Sequence, residues 1–523
     1  MKRKLLCTLL IFMLVLGITG CGDSPDPVLE EGENPTNRVV VARPIDSDNL
    51  DPVVSVGNVN IWIYKLMLDS LLETTDDGKD IVTNLAESYT VSDDNLVYTF
   101  KLKPGIKFSD GTDVTVEDWV FTYERAMSDL ASNWKFASDN IEKVEAQDDS
   151  TFVVTLKKVS PAMLANFSMF SLGVQSKAYY ESLGATNEER DEKYVDGFVG
   201  TGPYLLSDWK KGEQLTLSRN PHYHKDGLPV TDEIVFKVVA DDAARSMQLS
   251  AGEVDIITFV PFSTLKELSA KDGIKAVDIQ GTETRFIALN TTNDYLSDLK
   301  VRKAINLATD NQMIVDMALY GYGEPARSFL QGSSPFLDTS IPQPKQDIEG
   351  AKALLKEAGY ENGITINMLI HSGNSFEEQI ATILKEQWAA IGVNLEIMPE
   401  EAGIYKEKLY SLGFDTVIDY WTDDVPDPVQ YLDAVCDFDL YYTFDTGYED
   451  PRLGELNKLQ AAEMDSEKRH EYINEIQQII NEAQIFVPIA YVPYGVAMSD
   501  KISGFVQTPL GNYRFENLSK TAK

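Results

Sequence analysis

The sequence predicts an α/β protein, and three observations carry that reading. Between residues 364 and 397 a strand, a helix and a second strand succeed one another. ITINMLI alternates over 364–370, then Phe376, Ile380, Ile383, Leu384 and Ile391 share one helical face, and Val393, Leu395 and Ile397 alternate again after Gly392. That unit is a crossover, expected to be right-handed with parallel strands. Strand-like and helix-like segments also recur along the rest of the chain. Finally, 43% hydrophobic and 10% aromatic residues in a 523-residue chain suffice for large cores, and the length suggests about two to four domains.

In chain order, the first segment is a leader. Lys2, Arg3 and Lys4 precede an apolar stretch from Leu5 to Ile18 and the run Ile18-Thr19-Gly20-Cys21, the pattern of an export signal. The stretch is short for a membrane span, which needs roughly 20 apolar residues. A small residue directly before a cysteine resembles the lipobox of bacterial lipoproteins. The resemblance implies removal of residues 1–20 and a lipid on Cys21. The plain alternative is an ordinary signal peptide with an incidental cysteine. The adjoining segment favours the lipoprotein: residues 22–37 (GDSPDPVLEEGENPTN) are acidic and rich in Pro and Gly, a flexible tether with a reach on the order of 20 Å.

The folded part begins with RVVVAR at 38–43 as a strand. A helix is expected at 59–72, with Ile61, Leu66, Leu68 and Leu72 on it. Leu96, Tyr98, Phe100 and Leu102 alternate on a strand at 95–102. Thr115-x-x-Asp118 reads as a capping box for a helix carrying Trp119, Tyr123 and Met127. Strands are expected near 141–146, 151–156, 213–219 and 233–239. After the crossover come a helix near 402–411, a strand at 414–419, helices at 428–435, 451–463 and 467–483, and a strand-like stretch at 485–498. No internal repeat is present.

Charge narrows the function. The chain holds 46 basic and 83 acidic residues, a net −37; loss of residues 1–20 removes three positive charges, leaving about −40. Such a surface repels phosphate backbones, so nucleic-acid binding is not expected. Of three cysteines, Cys7 leaves with the signal and Cys21 is the lipid site. Only Cys436 remains, which excludes an internal disulfide and a thiolate metal cluster. Among the four histidines, His222 and His224 form an H-x-H with no further ligands at metal spacing, and neither metal nor cofactor is expected. Gly200-Thr201-Gly202-Pro203 lacks the third glycine of a dinucleotide loop. No G-x-S-x-G elbow occurs, and with 83 acidic residues paired carboxylates are no evidence for a glycosidase.

Open α/β sheets bind ligands beyond the carboxyl ends of their strands. The strand at 414–419 runs directly into Tyr420-Trp421-Thr422-Asp423-Asp424-Val425-Pro426-Asp427-Pro428. Asp427-Pro428 reads as a helix start. Asp423 and Asp424 have no such local role, and one of them facing a cationic ligand group is the sharper reading.

Several blocks together resemble the extracellular solute-binding proteins of family 5, the oligopeptide- and dipeptide-binding components of ABC importers. They are Asn84–Met127, Gly200–Tyr223, Phe286–Ala308, Asp347–Tyr360 and the W-T-x-D-x-x-D-P segment at 421–428, within a likeness running from 38 to about 515. The resemblance implies a two-lobed, periplasmic-binding-protein-like fold of type II character with a subdomain inserted in the first lobe. Residues 38–68, 193–281 and 491–523 would form lobe 1, 69–192 the insertion and 282–490 lobe 2, with crossings near Gly281–Thr284 and Ala490–Pro493. It further implies that Asp424 holds a peptide's α-amino group, that Trp421 is an aromatic wall, that Trp134 lies over the ligand and that Asn58 faces it. For both tryptophans, packing in the core is the alternative. His224, following Asn-Pro-x-Tyr where relatives carry an aromatic, is expected to pack.

Two departures limit the cargo. Ile418 stands where oligopeptide-binding relatives carry an arginine, and Glu378–Gln379 where dipeptide-binding relatives carry one. A free peptide carboxylate therefore has no partner at either place. The expected function is non-enzymatic: a monomeric, lipid-anchored receptor on the outer face of the cytoplasmic membrane that delivers a peptide-like solute to ABC permease subunits. An oligosaccharide or metal-chelate receptor is the alternative, and a secreted hydrolase a more remote one.

Overall fold

A computed structural model describes residues 37–521 apart from Ser132. The export signal, Cys21 and the tether up to Thr36 lie outside the described residues. Among those described, no helix is long and apolar enough to cross a membrane.

One mixed sheet of eleven strands organises the chain. Across it lie Val393–Glu400, Ile364–His371, Thr416–Trp421, Ile274–Leu289, Phe486–Ser499, Ile256–Ile257, Arg38–Arg43, Glu233–Val238, Gln214–Arg219 and Tyr204–Lys210, with Glu324–Pro325 attached to Phe486–Ser499. The two long central strands pair antiparallel and are shared by both halves. Their register breaks between Ile279 and Glu283, opposite Pro493, a residue with no N–H for the ladder.

On either side of that break the sheet serves a different core, which makes two lobes. In lobe 1, Arg38–Arg43 runs parallel to Glu233–Val238 and Ile256–Ile257, and Val39, Val41, Leu217 and Phe236 are buried. In lobe 2, Ile364–His371 runs parallel to both Val393–Glu400 and Thr416–Trp421. Ile366, Met368, Leu384, Trp388 and Leu395 pack on one face and Phe286, Val417, Tyr431 and Ile476 on the other.

A second, four-stranded antiparallel sheet has the order Ala86–Val91, Val97–Leu102, Thr151–Leu156 and Ile141–Asp148. The helix Val116–Met127 covers it, with Tyr123 edge-on to Phe152. At its start the Asp118 carboxylate accepts from the Thr115 N–H at 2.9 Å, one arm of the expected capping box. This sheet shares a continuous apolar core with lobe 1. Arg125 from its helix donates to Asp51 at 2.7 Å and to Asp191 at 3.0 Å, so a buried ion-pair network joins the two as well.

The helix expected at 59–72 is the main departure: it spans only Asn58–Tyr64. Beyond it the backbone is taken by tertiary partners, since the Gly202 and Tyr204 N–H groups donate to the Met67 and Leu66 carbonyls, both at 3.0 Å. A Cβ on Gly202 would stand 2.5 Å from the Met67 carbonyl carbon. That approach is open only to glycine, and it overrides the local helical spacing. Two smaller differences concern the site. The strand expected at 414–419 runs over Thr416–Trp421, because Tyr420 and Trp421 still pair with Arg285 and Thr284. The next helix begins at Val429, with Asp427 just before it.

Candidate binding cleft

A cavity of about 730 Å³ opens between the lobes. Asn58 and Trp62 reach it from the short helix of lobe 1, and Phe259 from the loop after Ile256–Ile257. Lobe 2 contributes His371 and Tyr420 at the carboxyl ends of two parallel strands, Thr422 just beyond, and Asn374 to Glu377 at a helix N-terminus. This is where open α/β sheets place ligands. Between them the shared central strands supply Glu283, Arg285 and Val492 to Val496.

The lobe 1 wall is aromatic. Trp62 stacks on Phe259 with centroids 5.0 Å apart and planes 16° apart, and meets Tyr494 edge-on. Trp62 is 3% exposed, whereas Phe259 is 39% exposed and presents its outer face. Phe259 sits at φ 53°, a left-handed conformation unfavourable for a bulky residue. Gly511 is required behind the indole, because a Cβ there would lie 2.5 Å from Trp62 Nε1.

The lobe 2 wall is charged. Glu283 and Arg285, two apart on one strand, point to the same face. Arg285 donates to Glu283 Oε1 through Nε at 3.1 Å and Nη2 at 2.6 Å. Its Nη1 lies 3.7 Å from Glu377. The guanidinium is flanked by the Tyr420 and Phe376 rings, 4.5 and 5.2 Å away. Glu377 is itself held by the His371 N–H and by Asn374 Nδ2, each at 2.8 Å. Sequence reasoning missed this group. Its signals were the E-x-R spacing on a strand and the Asn374-x-x-Glu377 capping pattern.

Of the five expected site residues, Asn58 borders the cavity, whereas Trp421, Asp423, Asp424 and Trp134 do not; Thr422, between the first two of these, does. Asp424, half-buried two residues beyond Thr422, accepts from Gln430 Nε2 at 3.1 Å. Burial pushes its carboxyl up to about 6. Asp423 is buried and also displaced well upward by burial; it accepts from Trp421 Nε1 and borders a separate cavity of about 140 Å³ with Thr282 and Pro509. Trp421 is half-buried and lies flat on Tyr431, with centroids 4.7 Å and planes 4° apart. Trp134 packs in the core, with its Nε1 donating to the Ser55 carbonyl at 2.9 Å and its ring edge-on to Phe170. Asp427 accepts from the Val429 N–H, the helix-start role expected of it, and also holds Arg469 at 2.6 and 2.8 Å. His224 packs edge-on against Tyr223. Among the described residues no group of three or more His, Cys, Asp or Glu is placed to hold a metal.

Comparison with known proteins decides the family. Residues 80–438 match the profile of the bacterial extracellular solute-binding proteins, family 5 (middle region). The chain belongs to that family. Among curated relatives of this solute-binding protein, the glutathione-binding protein GsiB of Escherichia coli K12 is 31% identical over 368 residues, 70% of either chain. Heme-binding protein A of Haemophilus influenzae is 27% identical over 481 residues, 87% of this chain and 86% of its own. The Helicobacter pylori periplasmic binding protein DppA, solved with the peptide STSA, superposes with a TM-score of 0.80 at 24% identity, over 93% of this chain and 98% of its own. The two-lobed fold of this solute-binding protein is therefore the family's.

Proposed function

We propose that this solute-binding protein captures a peptide-like solute between its lobes and hands it to ABC permease subunits, held at the outer face of the membrane by a lipid on Cys21. The observation that carries the reading is the inter-lobe cavity of about 730 Å³. It falls in the range of pockets that enclose small ligands, about 300–1,000 Å³. Contacts with both walls give a ligand differential affinity for the closed form, and only such a difference moves a hinge. The two central strands that cross between lobes, with their register break opposite Pro493, are the natural place for that hinge.

Asp424, two residues along the chain from the cavity-lining Thr422, is the group we assign to the peptide's α-ammonium. Its burial without an ion-pair partner among the described residues suits it to that role, since a cation relieves the cost of an isolated buried carboxylate. Two relatives support a peptide-like cargo: one is named for glutathione, a tripeptide, and one was solved with a tetrapeptide. The assignment of lobes 1 and 2 to residues 38–68, 193–281 and 491–523, and to 282–490, with 69–192 inserted, belongs to the same proposal. No bond is made or broken in this cycle.

A melting screen tests the reading. Peptide mixtures are expected to raise the melting temperature as mass action requires, whereas sugars and metal chelates are not. A shift from an oligosaccharide or chelate alone would replace the peptide assignment.

A further inference from the structure

The cavity's charges are unbalanced. Among the described residues that line it, Arg285 is the one arginine or lysine, and Glu283 and Glu377 both lean on it. Arg285 is 7% exposed and clamped between Tyr420 and Phe376, so its charge is spent on groups already present. A ligand carboxylate brought to it would lie beside two like charges. The other positive feature, the N-terminus of helix Ser375–Ala389, is also occupied: Asn374 Oδ1 accepts from the Phe376 and Glu377 N–H groups at 3.2 Å, and Glu377 places its own carboxylate there.

Glu283 is different. Both guanidinium bonds fall on Oε1, and among the described residues Oε2 accepts no hydrogen bond. The same cavity presents the exposed face of Phe259, backed by the stacked Trp62. A carboxylate oxygen with no donor and an aromatic face are the two surfaces that a cation prefers.

We infer that this cavity is a subsite for a cationic side chain of the captured solute, an ammonium or guanidinium held by Glu283 and covered by Phe259, so that the receptor selects basic peptides. The inference rests on the peptide reading only for the ligand's backbone. Arg285 is a positioning residue here: it fixes Glu283 and Glu377 without contacting the ligand. The absence of arginines at Ile418 and near Glu378–Gln379 agrees with a site that does not seek a carboxylate.

The test is calorimetric titration of the intact protein with alanine tetrapeptides carrying a single Lys, Gln or Glu at each position in turn, with spermidine as a non-peptide cation. We expect one Lys position to bind at least tenfold tighter than its Gln counterpart, and Glu283→Gln to erase that advantage. Should Glu283→Gln fail to fold, the wild-type Lys-to-Gln ratio still decides. Equal binding of Lys, Gln and Glu sets, or tighter Glu binding, overturns the inference and leaves the peptide reading standing. A Lys advantage that survives in a folded Glu283→Gln protein overturns the assignment to this subsite. Binding of spermidine with no peptide binding removes the peptide reading but keeps the cationic subsite, and binding of neither removes both.

Discussion

The Trp421 indole N–H donates to Asp423 at 2.9 Å, and this bond ties the end of the strand Thr416–Trp421 to a buried carboxylate. With the indole flat against Tyr431 at 4.7 Å, the segment after the strand is fixed by packing on one face and a hydrogen bond on the other. Trp421→Phe keeps most of the stacking and removes the donor. A buried acceptor left without its partner costs about 1–3 kcal/mol, so the urea midpoint of the variant is expected to fall accordingly. An unchanged midpoint would show that another donor takes its place.

Asp424 makes stability depend on pH. Burial raises its carboxyl from 3.8 to about 6. Between those values the folded chain keeps a proton that the unfolded chain has released. This group's contribution to stability therefore declines as pH rises from about 4 to about 6 and stays low above. Asp424→Asn removes the penalty, so the variant is expected to melt higher than wild type at pH 7.5 and at the same temperature at pH 4. Equal differences at both pH values would put that carboxylate in water.

Much of this is legible from sequence, and the reasons are local. The 364–397 crossover follows from strict periodicity, and Thr115-x-x-Asp118 announces its own helix. The spacing at 59–72 misleads because the second half of that segment meets Gly202 from far along the chain, and no local pattern reports a backbone contact of that kind. The site divides in the same way. Motif and strand-end logic point to Asn58 and to the segment after residue 419. They do not point to the Glu283–Arg285–Glu377 group or the Trp62–Phe259 stack, which bring together segments that only the sheet order makes neighbours. Trp134 shows the converse: an aromatic residue at a suggestive position that packs into the core.

Gly202 offers a direct check of the backbone contact. Gly202→Ala places a Cβ against backbone atoms of Leu66, Met67 and Leu68, none of which can rotate away. Overpacking of this sort costs about 1–3 kcal/mol, measurable as a lower urea midpoint. A neutral effect would mean that the strand starting at Tyr204 shifts to accommodate the methyl group.

The Asp427–Arg469 pair sets the helix after the cleft segment. Both carboxylate oxygens accept from the guanidinium, at 2.8 and 2.6 Å, and both side chains are buried. Arg469→Ala leaves an uncompensated buried carboxylate, for which about 3–5 kcal/mol is expected. Asp427→Asn together with Arg469→Met should recover much of it, since replacing both partners is far less costly than removing one. Equal losses in the single and double variants would contradict the pairing.

The central claim is that a peptide is captured through its free amine between the lobes. It is tested most directly by affinity selection of a randomised tripeptide-to-pentapeptide library on the intact protein, beside an N-acetylated copy of the same library, with bound species read by mass spectrometry. Enrichment from the free-amine library, little from the acetylated one, and basic residues over-represented among the peptides retained are the expected result. Equal recovery from both libraries, or retention of no peptide at all, would contradict the claim.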